Sequence, residues 1–270
     1  MRVKPSLPKE GIPPILKAEN RFLHPKFGWV SITFHPQGLP VRHVVTHGGK
    51  RVVGSFPSIK MGRTMPWDSF GERALIHWFE FDNSRVGYLM QPHVLQWSAA
   101  GKTYTYVPDA ISEGALDLTV HEVKKIHPRV HDAECELDRY AMAASIYAFC
   151  GLGFEIVTEG QLTSNAAKLL NYKELAGARF TKFGLAEELV VREYLTAVGE
   201  VVMLSNLIAH LAGMLGKSEA VARSVIFAMA VRRILAFDLE KRITPVSSVR
   251  LIAPRAPSMR LLNFWENAND

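Results

Sequence analysis

The chain has 270 residues, 48% apolar and 21% charged, which is enough for about two domains at roughly 150 residues each. Its 19 glycines and 15 prolines are too few for a disordered or collagen-like chain, and no run approaches the roughly 20 apolar residues needed to span a bilayer. The net charge of +6 is unevenly spread: residues 1–70 carry 11 Lys/Arg against 3 Asp/Glu, residues 71–160 carry 7 against 13, and residues 161–270 carry 14 against 10. Basic flanks suit a polyanion, and a carboxylate-rich centre suits a divalent metal.

The first 50 residues are rich in turn formers, with one strand-like alternation at Gly28–Phe34. A loop containing Pro57 and Gly62 leads to Asp68-Ser69, an N-cap for a helix over Phe70–Phe81. Three strands follow, at Val86–Leu95, Lys102–Val107 and Leu116–Lys124, with turns at Gly101 and Ser112-Glu113-Gly114. A helix from about Glu134 to Phe149 ends at Gly151, and Phe154–Thr158 reads as a further strand. Helix, three strands, helix, strand describes an α/β domain, a mixed sheet flanked by helices, here assigned to residues 1–171. Cys135 and Cys150 fall on its second helix about 22 Å apart, too far for a disulfide. With no secretory leader after Met1-Arg2-Val3-Lys4-Pro5, a reduced, soluble, intracellular protein is expected.

From Tyr172 the pattern turns helical. Leu185–Leu195 and Val201–Leu215 have helical spacing, Ser218 caps a third helix from Glu219 to about Arg233, and two strand-like runs, Ile234–Leu239 and Arg242–Ile252, flank Glu240-Lys241. This is the outline of a winged-helix-like C-terminal domain over residues 172–253. Residues 254–270, with Arg255, Pro257, Arg260 and Phe264-Trp265, read as an extended tail.

The chemistry concentrates in the acidic middle. In the strand Leu116–Lys124 the even positions share one face, so Glu122 and Lys124 continue a row begun by Leu116, Leu118 and Val120. Asp109 follows Val107 where its strand leaves the sheet, and Glu72 heads a helical face continued by Leu75, Ile76 and Phe79. Carboxylates on apolar faces need partners, because burying unpaired charge costs several kcal/mol. Taken singly, each has a plainer explanation: an Asp in a turn, an edge ion pair, a Glu favoured by the helix dipole. The weight lies in the combination. Asp109, Glu122 and the Val123 carbonyl offer hard oxygen ligands for Mg²⁺, with Mn²⁺ as a substitute and Glu72 as a further ligand. Lys124 beside them would stabilise charge building on a phosphoryl group, which points to phosphodiester hydrolysis.

Pro108-Asp109…Glu122-x-Lys124 resembles the PD-(D/E)xK pattern of the restriction-endonuclease-like nucleases. Gly54-Ser55-Phe56-Pro57-Ser58-x-Lys60-x-Gly62-Arg63, Trp67-Asp68-Ser69-Phe70-x-Glu72 and Tyr88-x-x-Gln91-Pro92 narrow it to the TnsA-like transposon endonucleases. The resemblance covers about residues 50–160 by motif and the remainder by layout. It implies a catalytic set Glu72, Asp109, Glu122 and Lys124. It also implies cleavage of double-stranded DNA at the 5′ ends of a transposon, beside a TnsB-like transposase acting at the 3′ ends and a TnsC-like AAA+ ATPase regulator. The expected setting is then the bacterial cytoplasm, on the nucleoid when active, with no membrane partner.

Lys60 and Arg63, before the first helix, and Arg223, Arg232 and Arg233, on the third helix of the C-terminal domain, are candidate DNA contacts. Val225, Ile226 and Met229 of that helix are expected to be core. His121 and His127 flank the Glu-x-Lys, and His121 faces opposite Glu122 and reads as a surface or core histidine; His35, His43 and His47 have no metal spacing with either cysteine. Gln91 and Pro92 have no evident chemical role. A stand-alone restriction or repair-type nuclease, or a non-catalytic DNA-binding adaptor, remain the alternatives.

Overall fold

The computed structural model of the protein describes residues 18–42, 52–125, 130–199 and 201–253. The first elements are β1 (Ala18–His24), β2 (Gly28–Phe34), β3 (Gly54–Ser58), β4 (Arg63–Trp67), α1 (Phe70–Phe81), β5 (Gly87–Met90) and β6 (His93–Ala99). Next come β7 (Lys102–Tyr106), β8 (Ala110–Glu113), β9 (Leu118–Lys124), α2 (Val130–Phe149) and β10 (Gly153–Thr158). The remainder is α3 (Glu159–Thr163), α4 (Ala166–Ala178), α5 (Leu185–Val198), β11 (Val201–Met203), α6 (Leu204–Leu215), α7 (Glu219–Val231), β12 (Leu235–Phe237) and β13 (Ser248–Leu251). The protein is mixed α/β, and none of its described helices is long and apolar enough to cross a membrane.

Two four-stranded sheets carry the first half. One is antiparallel in the order β1-β2-β6-β7; the other runs β10-β9-β8-β5. In the second, β5, β8 and β9 are antiparallel, while β9 and β10 are parallel and joined through α2, as a parallel pair requires a crossover. β5 leads into β6 and β7 into β8, so one bent hairpin serves both sheets. The bend is pinned where the Gln91 N–H donates to the Asp109 carbonyl (2.8 Å).

Helices cover both faces of β9. Its even residues Leu118 and Val120 share a buried cluster with Tyr140, Ala143, Ile146 and Tyr147 of α2. On the odd face, His121 meets Phe79 of α1 at 4.8 Å between ring centroids. Leu75, Ile76 and Phe79 of α1 are fully buried, each contributing about 1.5–3 kcal/mol of apolar burial. That cluster runs from β3, β4 and α1 through Tyr172 and Leu175 of α4 into α5, α6 and α7. The expected division between residues 171 and 172 thus falls inside α4. There the Asn171 amide donates to the Leu239 and Lys241 carbonyls and accepts from Arg242 and Ile243.

Several sequence expectations change. Val86–Leu95 is two strands, because Gln91 adopts a left-handed φ of 46° and Pro92 has no N–H for a ladder. The stretch with Pro57 and Gly62 is the β3–β4 hairpin, with Gly62 at φ 63° in its turn. The strand expected from Leu116 starts at Leu118, and Leu116 is 89% exposed, so the buried row begins one step later. Val201–Met203 is a strand paired with β13, and the helix starts at Leu204. The third helix stops at Val231, with Arg232 as its cap. The final strands shrink to Leu235–Phe237 and Ser248–Leu251. Elements β1, β8, α3 and most of α4 were not anticipated. His43, His47, His127, the Cys135 side chain and the tail from Pro254 lie outside the described residues.

Candidate active site

α1 is started by reciprocal capping. Ser69 Oγ accepts the Glu72 N–H (3.0 Å), and the Glu72 carboxylate reaches back to accept the Asp68 N–H (3.0 Å). This is a close relative of the capping box, shifted one residue back. It fixes Glu72, only 3% exposed, beside the end of the second sheet.

Asp109 sits in the bend between β7 and β8. Its Oδ2 accepts the Val123 N–H at 2.7 Å, bridging the sequence-distant Pro108-Asp109 and Glu122-x-Lys124 segments. Within a strand a residue's N–H and C=O point to the same edge, so the Val123 carbonyl also faces the end of β8. Glu122 lies on the other face of β9, 7% exposed. Its Oε2 accepts from the Tyr106 hydroxyl (2.6 Å), and its Oε1 accepts from the Tyr140 hydroxyl (3.0 Å) and meets Lys124 Nζ at 3.1 Å. Lys124 also lies over the Tyr140 ring, 4.9 Å from its centre.

Asp109 therefore stands between two acids that approach from opposite faces of the sheet. Burial pushes Glu72 up to about 9, helped by the Asp68 side chain and the Asp109 charge and opposed by the Asp68 N–H, which favours the carboxylate. Burial and the Glu122 charge push Asp109 up to about 7. For Lys124, burial works against ionisation, but the hydrogen bond with Tyr140 and the Glu122 charge outweigh it and hold the amine above its usual range. The site is short of positive charge on the Glu72–Asp109 side, which is the condition a bound cation relieves.

The structure thus brings Asp109, Glu122, Val123 and Lys124 together, with Glu72 adjoining from α1. Among the described residues, no three His, Cys, Asp or Glu side chains stand ready as a metal cage. Glu72 is turned to Asp68, and both Glu122 oxygens already accept hydrogen bonds. The donor set itself, carboxylates and a carbonyl, is of the hard type that fits Mg²⁺ or Mn²⁺. The groups that hold Glu122, Tyr106 and Tyr140, have no sequence signal, since a tyrosine sixteen residues before on another strand or eighteen residues along on a helix cannot be paired by spacing.

The candidate DNA contacts fare differently. Lys60 turns its amine inward, donating to the carbonyls of Phe79, Asp82 (2.8 Å) and Arg85 (2.9 Å) at the end of α1. It is a helix cap and does not present itself to a phosphate. Arg63 donates to the Gln37 carbonyl (2.7 Å). Arg223 pairs with Glu174 (3.1 Å), Arg232 donates to the Ala228 carbonyl (3.2 Å), and Arg233 donates to Asn83 (3.2 Å). In α7, Val225, Ile226 and Met229 are core, as expected, and so is every other residue from Val225 to Val231. Only its first turns are open to solvent. His121 is a core histidine, between Ser112 (2.8 Å) and Glu155 (3.3 Å); His35 is buried and accepts the Gln37 N–H.

No protein-family model matches the chain, and no curated protein sequence matches it.

Proposed function

We propose that the protein is a Mg²⁺-dependent DNA endonuclease subunit of a heteromeric cut-and-paste transposase, hydrolysing phosphodiester bonds at the 5′ ends of the element. The observation that carries this reading is the Asp109–Val123 hydrogen bond. It sets the Pro-Asp and Glu-x-Lys segments side by side at one end of the sheet. The order α1, three antiparallel strands of one sheet, α2 and a parallel β10 supports a restriction-endonuclease-like core.

Asp109, Glu122 and the Val123 carbonyl would hold the ion, with Glu72 joining once it releases the Asp68 N–H. When bound, the ion supplies Lewis-acid polarisation of a phosphoryl oxygen. Lys124 stays protonated and stabilises the charge that builds on the phosphoryl group as water adds to phosphorus and a P–O bond breaks. Tyr106 and Tyr140 orient the Glu122 carboxylate. The C-terminal order of helix, strand, helix, turn, helix and two strands fits a winged helix. Its third helix is too buried to lie in a groove, which favours a protein partner, such as the AAA+ regulator, for that domain.

A second reading, a non-catalytic adaptor, draws on one observation: Glu122 is fully engaged by Tyr106, Tyr140 and Lys124, as a structural carboxylate would be. Strand-specific nicking of DNA carrying the element's ends, with and without the integrase-fold transposase encoded beside it, separates the possibilities. Nicking at the 5′ ends only with the partner supports transposition. Cutting without the partner indicates a stand-alone nuclease, and no cutting in either mixture favours the adaptor.

A further inference from the structure

Arg42 is a cation on the acidic side of the site that no sequence motif singles out. Its Nη2 bonds Asp68 Oδ2 at 3.0 Å. With the Gln91 amide oriented to satisfy both its groups, the amide nitrogen donates to the Arg42 carbonyl (3.3 Å). The amide oxygen then accepts from the same Nη2 (3.2 Å). Both hydrogens of Nη2 are thereby committed. Nη1 and Nε have no partner among the described residues, and the side chain is 50% exposed. The guanidinium charge also acts on Asp109.

Gln91 explains why Arg42 stands there. It is fully buried, its N–H bonds the Asp109 carbonyl (2.8 Å), and its own carbonyl takes the Val41 N–H (3.0 Å). It does this from a left-handed φ of 46°, a conformation that is unfavourable for a non-glycine residue and persists where surroundings over-determine it. One residue therefore ties the segment ending at Arg42 to the backbone of Asp109. An arginine needed only to neutralise Asp68 would not require that seat.

Resting on the nuclease reading above, we propose that Arg42, seated by Gln91, contacts a backbone phosphate of the DNA strand that enters the site, using its Nη1 donors. Arg42 is a substrate-binding residue in this proposal, and Gln91 is a positioning residue acting through it.

The test is the affinity of the full chain for a fluorescein-labelled DNA duplex, read by anisotropy in Ca²⁺ over a series of KCl concentrations. Losing one phosphate contact lowers the slope of log affinity against log salt by about 0.9 and weakens binding about tenfold near 0.1 M salt. Arg42→Gln, which keeps a donor for Asp68 but no charge, should show both effects. Arg42→Lys should retain the slope. Gln91→Gly, which relieves the backbone but removes the amide, should weaken binding with Arg42 intact. Thermal melts of the same variants separate a structural role: a lower melting temperature with an unchanged salt slope in Arg42→Gln overturns the proposal. If the wild type binds no DNA, the Arg42 contact fails, while the nuclease reading stands or falls by the strand-specific nicking assay. DNA binding by the wild type with an unaltered slope in Arg42→Gln sinks the Arg42 contact alone.

Discussion

Divalent-cation affinity should depend on pH by an amount that identifies the ligands. In the cation-free protein burial and the Glu122 charge push Asp109 up to about 7, and burial, the Asp68 side chain and the Asp109 charge push Glu72 up to about 9. A cation binds the ionised carboxylates, so each ligand that holds a proton must release it. Between pH 6 and 8, Asp109 passes from largely protonated to largely ionised, which tightens binding about tenfold if it alone is displaced. Glu72 remains protonated across the whole interval and, as a ligand, adds about a further hundredfold, for about a thousandfold in all. Mn²⁺ titration followed by electron paramagnetic resonance at pH 6, 7 and 8 reads this directly. Glu72→Gln should cut the change to about tenfold. An affinity independent of pH, or the same dependence in Asp109→Asn, would show that these carboxylates do not take the ion.

The same shifts govern stability without a cation. Both folded values lie above the unfolded ones, so the favourable contribution is complete below about pH 4 and is lost as pH rises through 7 and then 9. Glu72→Gln should therefore lose about 3 kcal/mol less than the wild type between pH 6 and 8 in urea unfolding. Tyr106→Phe keeps the buried ring but removes the 2.6 Å bond to Glu122. It should cost about 1.5–3 kcal/mol and lower turnover more than substrate affinity, because it disorients a carboxylate without removing it. Lys60→Met strips the donor from three carbonyls beneath α1. A loss of about 2–4 kcal/mol is expected, with the DNA affinity of the folded fraction unchanged; weaker DNA binding there would restore Lys60 as a phosphate contact.

Much of this architecture was legible because it rests on local signals. The helix Phe70–Phe81 came out to the residue, since Ser69 caps it and Leu75, Ile76 and Phe79 repeat at helical spacing. The strand ending at Lys124 was found by alternation, and its start was missed because Leu116 is apolar yet lies in an exposed turn. Pro57 and Gly62 are breakers in isolation, so the sequence predicts a loop where the β3–β4 hairpin stands. They are tolerated there in a two-stranded ribbon whose turn wants a left-handed glycine. At the site, the four acid and lysine positions were visible as charges on apolar faces. Their partners were not, for Tyr140, Arg42 and Gln91 meet the site only through tertiary packing. Lys60 differs for the opposite reason: a basic residue in sequence carries no sign of whether it faces solvent or, as here, the carbonyls at a helix end.

The most direct measurement is cleavage of transposon-end DNA in Mg²⁺ or Mn²⁺, with the proposed TnsB-like partner present, by wild type, Asp109→Ala and Lys124→Ala, each shown to be folded by its thermal melt. The wild type should cut one strand in a metal-dependent way, and both variants should be inert. Cleavage by Asp109→Ala at the wild-type rate would contradict the assignment of this sheet end as the catalytic centre.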